Sequence, residues 1–235
     1  MNQLLEQLLP SDSYIYGTAD MHGLIDPKYG NFQYAISFGK RLNDDIVNAI
    51  TQGPTMEYYN HYHQINDDLR NKSKEIKAAL NEINIHSIII DPSDTKKDEN
   101  SEEYLKTLAA DVSHKMAATR AGLGWIGKTD LFISKRFGPR LRLNTILIDQ
   151  KPEVESTPIE ASQCGKCKVC VDNCPANAAS GELWNISLHR DDFFNAFECR
   201  KTCARLAKEK LNKDIRICGI CVSVCPNGKK RSNKS

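Results

Sequence analysis

The chain has 235 residues, 32 basic and 30 acidic, for a formal net charge of +2. That length fits one large domain or two smaller ones with a real core, and the near-neutral balance excludes the global electrostatic footprint of a nucleic-acid binder. No apolar run approaches the length of a membrane span.

The opening "MNQLLEQLLPSDS" has no basic n-region, no long apolar stretch and no twin arginine, so a cytoplasmic location is expected. "SYIYGTAD" and "FQYAISFGK" read as strands and "DDIVNAI" as a short helix. His61 and His63 in "HYH" would face one way if extended, as a metal or corrinoid pair or as an exposed one. In "INDDLRNKSKEIKAALNEI", Ile65, Leu69, Ile76 and Leu80 fall roughly on one helical stripe. "HSIIID" is a strand. Leu105, Leu108, Ala109, Val112 and Met116 then recur at helical spacing, which predicts one helix from about 101 to 120. "DLFIS" and "LRLNTILID" follow as strands, and Arg140 and Arg142 in "PRLRL" alternate, toward an acidic partner or toward solvent. Interleaved strands and helices give an α/β or α+β class.

Between the predicted helix and "DLFIS" lies "AGLGWIGK", with Gly122, Gly124 and Gly127 in the spacing G-x-G-x-x-G. A dinucleotide site needs a strand before such glycines and a helix after them. Here the order is reversed, so a helix C-cap at Gly122 and a tight entry into a strand are expected instead.

"DQKPEVESTPIEAS" is a loop signature, and it separates a front region of 1–155 from a back region of 156–235. All nine cysteines lie between 164 and 225. In a reducing compartment that argues for metal rather than disulfides. Cys164-x-x-Cys167-x-x-Cys170-x-x-x-Cys174-Pro175 is the bacterial ferredoxin spacing. Three thiolates wrap one cubane and the fourth is directed to a second. Cys218-x-x-Cys221-x-x-x-Cys225-Pro226 supplies the second run, one ligand short, with Ile215 where a cysteine would stand. Cys199 and Cys203, four apart on an expected helix, are the two candidates for the missing ligand. The crossing rule groups Cys164, Cys167, Cys170 and Cys225 on one [4Fe–4S] cluster. Cys174, Cys218, Cys221 and one of Cys199 or Cys203 take the other. Zinc ribbons use separated C-x-x-C knuckles, not this triplet run ending in C-P. The final "GKKRSNKS" is a basic tail of the usually solvated kind.

"SHKMAATRAGLGWIGKTDLFISKRFGPRLRLNTILID", followed by "CGKCKVCVDNCPANA" and "CGICVSVCP", resembles the epoxyqueuosine reductase family, iron–sulfur and cobalamin-dependent enzymes related to reductive dehalogenases. "YYNHYHQINDDLRNKSKEIKAAL" aligns loosely with an aromatic-Tyr-His segment of that family. The resemblance implies an α+β protein, with an α/β corrinoid-binding-like domain ahead of a bacterial-ferredoxin-like double [4Fe–4S] domain. It implies a reductase whose clusters relay electrons to cobalt from an external donor of flavodoxin or ferredoxin type. The substrate would be epoxyqueuosine in tRNA or a smaller molecule, with no membrane partner. It implies corrinoid contacts at His63, Gly124, Trp125, Ile126, Lys128, Phe132, Ser134 and Leu143, and it favours Cys199 over Cys203 as cluster ligand. The family's proton-donating aspartate falls on Leu108, so Asp111 or His114, on the same expected helix, would take that role. Leu108 and the short stretch after Cys225 point to a short paralogue with weak turnover of epoxyqueuosine tRNA. An electron-transfer protein serving a separate corrinoid enzyme, and a nucleic-acid-binding module with structural clusters, are the competing readings.

Overall fold

The computed structural model describes residues 1–93, 102–154 and 156–229. The basic tail and the first residue of the helix expected from 101 fall largely or wholly outside them. The chain divides into two compact units, each assembled from separated segments. Met1–Arg41, His63–Leu123 and Arg142–Glu160 form the first, and Leu42–Tyr62, Gly124–Leu141 and Ala161–Ser235 the second. The compositional boundary at 155/156 lies near the last crossing. The earlier crossings carry no compositional mark.

The first unit is built on a four-stranded sheet of order β1-β2-β6-β3, from β1 (Tyr14–Asp20), β2 (Tyr34–Arg41), β3 (Ser87–Ile90) and β6 (Leu141–Ile148). β1 pairs antiparallel with β2, Tyr14 opposite Lys40 through to Asp20 opposite Tyr34. β3 pairs antiparallel with β6. Ahead of the sheet runs α1 (Asn2–Leu8), which buries Leu5. Strand alternation sends neighbouring residues of β6 to opposite faces. Asn144 donates to Ser73 on α3 (Met56–Glu82) at 2.5 Å, while Thr145 meets His114 on α5 (His114–Arg120) at 2.8 Å. Helices therefore cover both faces. On one, Ile65, Leu69, Ile76 and Leu80 are buried along α3 as their spacing predicts, and Lys40 pairs with Asp68 at 2.5 Å. On the other, Ala117 and Ala121 of α5 pack with Ala19, Ala35 and Leu147 of the sheet.

Two sequence expectations are corrected here. The helix expected over 101–120 is two helices, α4 (Glu102–Thr107) and α5, because Leu108 sits at φ +50° and stops the first. The second restarts at Ser113, whose side chain accepts from the Met116 amide at 3.3 Å. Asp111 and His114 thus share no continuous helix with Leu108. "HYH" is helical, inside α3, so His61 and His63 do not face one way. His61 instead accepts the Asn43 amide at 3.0 Å, at the start of α2 (Asp44–Asn48). Among the described residues no helix is long and apolar enough to cross a membrane.

α5 ends as expected at Gly122. Its φ is +68°, Gly122 N–H donates to Thr119 at 3.0 Å and Leu123 N–H to Ala118 at 3.1 Å, a Schellman closure. A side chain there would also meet the Thr157 carbonyl oxygen at 2.6 Å.

Candidate iron–sulfur site

The second unit carries every cysteine. Its only regular sheet among the described residues is the hairpin of β4 (Gly124–Ile126) and β5 (Phe132–Ser134), with Trp125 opposite Ile133. Gly124 opens it because a Cβ would run into the Ile133 carbonyl oxygen. Besides α2 and the start of α3, its helical pieces are α6 (Val169–Asp172), α7 (Arg190–Phe193), α8 (Ala196–Leu211) and α9 (Ile220–Val224). α6 carries Cys170 and α9 carries Cys221, and the two pack together.

That packing brings the two cysteine runs into register. Cys164, Cys167 and Cys170 line one cavity with Cys225 and Cys221, closed by Gly127, Thr129, Leu131 and Ile133 from the hairpin. The first four are the set that the crossing rule groups. Among the described residues no three His, Cys, Asp or Glu side chains close on a single metal ion. Cys221 feels the charges of Cys218, Cys199, Cys170 and Cys174, so thiols of both sets bear on it. Cys199 and Cys203 lie side by side on α8, sulfurs 3.9 Å apart, and Cys203 also hydrogen-bonds Cys218.

Burial pushes the thiols of Cys170 and Cys221 up and that of Cys225 up to about 11, while the Cys203 thiol draws Cys218 down to about 7. Packing so many sulfurs together makes bare thiolates costly, and iron bound to them supplies the compensating charge. The donor set thus fits two cubanes chemically.

The glycine block faces this cavity. Trp125 Nε1–H donates to Cys164 Sγ at 3.4 Å. Lys128, 3% exposed, donates to the Gly165 carbonyl at 2.9 Å. Thr129 lines the cavity together with Cys170. Ser134 is closed on its own turn, donating to Gly138 at 3.0 Å and accepting from the Phe137 amide at 2.9 Å. Of the residues nominated for a corrinoid, Gly124, Trp125, Ile126, Lys128, Phe132 and Ser134 share the hairpin. His63 and Leu143 belong to the first unit. The polar groups of Trp125, Lys128 and Ser134 are engaged within the second unit, which leaves the Trp125 ring face as that residue's means of meeting a macrocycle. Reasoning from the sequence missed Thr129, although it directly follows the block.

Arg140, 1% exposed, is turned to an acidic side chain of its own unit and not to solvent. It binds Asp44 Oδ1 at 3.2 Å, Asn48 Oδ1 at 2.8 Å and the Ser223 carbonyl at 3.3 Å, tying α2 to the α9 segment between Cys221 and Cys225. Arg142 donates to Asn66 at 3.0 Å in the first unit.

In that first unit a cavity of about 240 Å³ is lined by Thr18, Asp20, Tyr34, Arg120 and Lys151. Small-molecule sites run about 300–1,000 Å³, so it admits part of a corrinoid at most. His114 lies elsewhere: Nδ1 meets Thr145 Oγ1 and Nε2 donates to the Asp91 carbonyl at 3.0 Å. Burial lowers its pKa to about 4, so at neutral pH it is an uncharged ring with both nitrogens engaged. Asp111 is exposed and ion-paired with Lys28.

The fold and the thiol geometry define an iron–sulfur protein. Residues 163–228 match a family described as a 4Fe-4S double cluster binding domain. The chain is similar to epoxyqueuosine reductases. That of Cyclobacterium marinum is 29% identical over 222 residues, 84% of this chain and 66% of its own length. That of Aliivibrio fischeri is 33% identical over 118 residues, 50% of this chain and 31% of its own. The chain therefore spans less than two thirds of either relative. The fold is shared with a reductive dehalogenase whose structure bears on B12-dependent dehalogenation, at TM-score 0.65 and 14% identity, over 93% of this chain and 30% of that one. It is shared with an epoxyqueuosine reductase solved with an epoxyqueuosine-modified tRNA stem loop, at TM-score 0.58 and 18% identity, over 96% and 64%.

Proposed function

We propose that this chain is an iron–sulfur oxidoreductase of the epoxyqueuosine reductase type. Its two [4Fe–4S] clusters take single electrons from an external low-potential donor of flavodoxin or ferredoxin type. The observation that carries this is the meeting of Cys164, Cys167 and Cys170 with Cys225 around one cavity, because only a crossed two-cluster domain needs the last thiol of one run beside the first three of the other. Cobalamin as the second cofactor is supported by the likeness to epoxyqueuosine reductases and to the B12-dependent dehalogenase. When bound, it supplies a low-valent metal that reduces substrates an iron–sulfur cluster does not reach. The residues of this chain contribute cluster ligation and burial, and the first unit's Arg120, Lys151 and Asp20 line the cavity open to a polar group. Epoxyqueuosine in tRNA is the substrate suggested by the relatives. Asp111 or His114 is the proposed proton source, the first from its ion pair with Lys28 and the second from its site against Thr145 and the Asp91 carbonyl.

Anaerobically prepared protein is expected to carry about eight irons and eight sulfides per chain, measured by colorimetric assay. Zinc, or about four irons in saturated protein, would refute the two-cluster reading. Titrating the loaded protein with hydroxocobalamin and recording the corrinoid bands tests the second cofactor. Clusters without corrinoid uptake would leave an electron-transfer protein serving a separate corrinoid enzyme.

Cys199→Ala is expected to lower the iron toward about half, with Cys203→Ala close to the parent. Cys221 has Cys199 among its surrounding thiols, whereas Cys203 touches two other sulfurs that would need to spread onto separate cubane corners. The opposite pattern would move the ligand role to Cys203.

A further inference from the structure

Residues 124–129 set one donor on a ligand sulfur, a cation on the backbone beside it and a hydroxyl residue in the same cavity. Trp125 N–H reaches the Cys164 sulfur at 3.4 Å, and Thr129 lines the cavity with Cys170. The buried Lys128 ammonium grips the Gly165 carbonyl, one residue past Cys164, at 2.9 Å. Of the second set, Cys221 reaches the same cavity beside Gly127 and Thr129, while the Trp125 N–H and the Lys128 ammonium go to Cys164 and Gly165.

A hydrogen bond to a ligating sulfur withdraws negative charge from the cluster, and a nearby cation favours whichever state is more negative. One-electron reduction adds one negative charge to the cubane and breaks no bond, so both effects favour the reduced form. Burial keeps water from screening the Lys128 charge.

We infer that the G-W-I-G-K-T segment is a redox-tuning element. Trp125, Lys128 and Thr129 raise the reduction potential of the cluster held by Cys164, Cys167, Cys170 and Cys225 above that of its neighbour, so an electron supplied by an external reductant rests there. The inference depends on the two-cluster reading and not on a corrinoid. It gives the hairpin a role distinct from contact with a macrocycle, since its polar groups point to sulfur and to the cysteine loop.

The test is a reductive titration of the anaerobic full-length protein with dithionite, followed by electron paramagnetic resonance of the reduced clusters. Trp125→Phe keeps the ring and deletes the N–H. Lys128→Met keeps the stem and deletes the charge. Cys167→Ser marks which wave belongs to the first cluster. Each of the first two variants is expected to shift the reduced-to-oxidised ratio of that cluster about tenfold at fixed potential, which is about 59 mV for a one-electron couple. The other wave should stay in place. Iron content equal to the parent shows that both clusters are loaded. If Lys128→Met loses iron, Trp125→Phe decides the question alone. Two unmoved waves, or a shift confined to the second cluster, would overturn the inference. A parent with one wave and half the iron would instead refute the two-cluster reading beneath it.

Discussion

Arg140→Met is expected to destabilise the folded chain by about 3–5 kcal/mol, toward the lower end because Asp44 keeps some solvent contact. The substitution fills much of the same volume, so the loss is electrostatic. It leaves Asp44 without its cation and strips a donor from Asn48 Oδ1 and from the Ser223 carbonyl. Breaking one side of a buried pair costs more than never having made it, so Arg140→Met with Asp44→Leu should recover part of the loss. Because Ser223 stands between Cys221 and Cys225, the single variant should also release iron at lower urea. Anaerobic urea denaturation measures both. A change under about 1 kcal/mol would place Arg140 among ordinary surface substitutions and refute the account.

Acid is expected to weaken the protein through His114. Its pKa is about 4 in the fold, against an ordinary 6.5, because burial disfavours the charged ring, with the Arg142 charge acting in the same direction. Asp91 opposes this but is itself held down by its ion pair with Arg70. Between pH 6.5 and 4 the unfolded chain binds the proton and the folded one does not. The stabilisation is complete above about pH 6.5 and drains away as pH falls toward 4. At pH 5 the loss is about 2 kcal/mol. Unfolding of the parent and of His114→Gln at pH 7.5 and pH 5.0 isolates this, since thiol protonation on cluster release is common to both proteins. The parent should lose about 2 kcal/mol more than the variant over that interval. Equal losses would show that His114 titrates normally.

Much of the first unit was legible in the residues. The α3 stripe of Ile65, Leu69, Ile76 and Leu80 is buried as read, because helical periodicity is local. So were the strands of "SYIYGTAD" and "FQYAISFGK" and the cap at Gly122. The break after Thr107 was not. Leu105, Leu108, Ala109, Val112 and Met116 keep helical spacing through a residue at φ +50°, and nothing in apolar spacing reports a backbone that leaves the helical region. Ser113 was a capping signal that the periodicity concealed. "HYH" failed in the opposite sense: alternation around one tyrosine is too short to separate an extended stretch from a turn of helix.

The sequence by itself determined the cluster chemistry. A cubane is small, so its ligands must recur at short fixed intervals, and C-x-x-C-x-x-C-x-x-x-C-P shows that requirement without any fold. It also determined that two such runs exist and that one lacks a thiol. Only the tertiary structure decided what lies against them. Residues 124–129 come from a hairpin some forty positions before Cys164 to Cys170, and folding brings Trp125, Lys128 and Thr129 onto that loop. It likewise drew residues 42–62 into the cysteine-bearing unit, where Arg140 binds Asp44. Contacts of this kind depend on burial and on chain reversal across long separations, and residue spacing encodes neither.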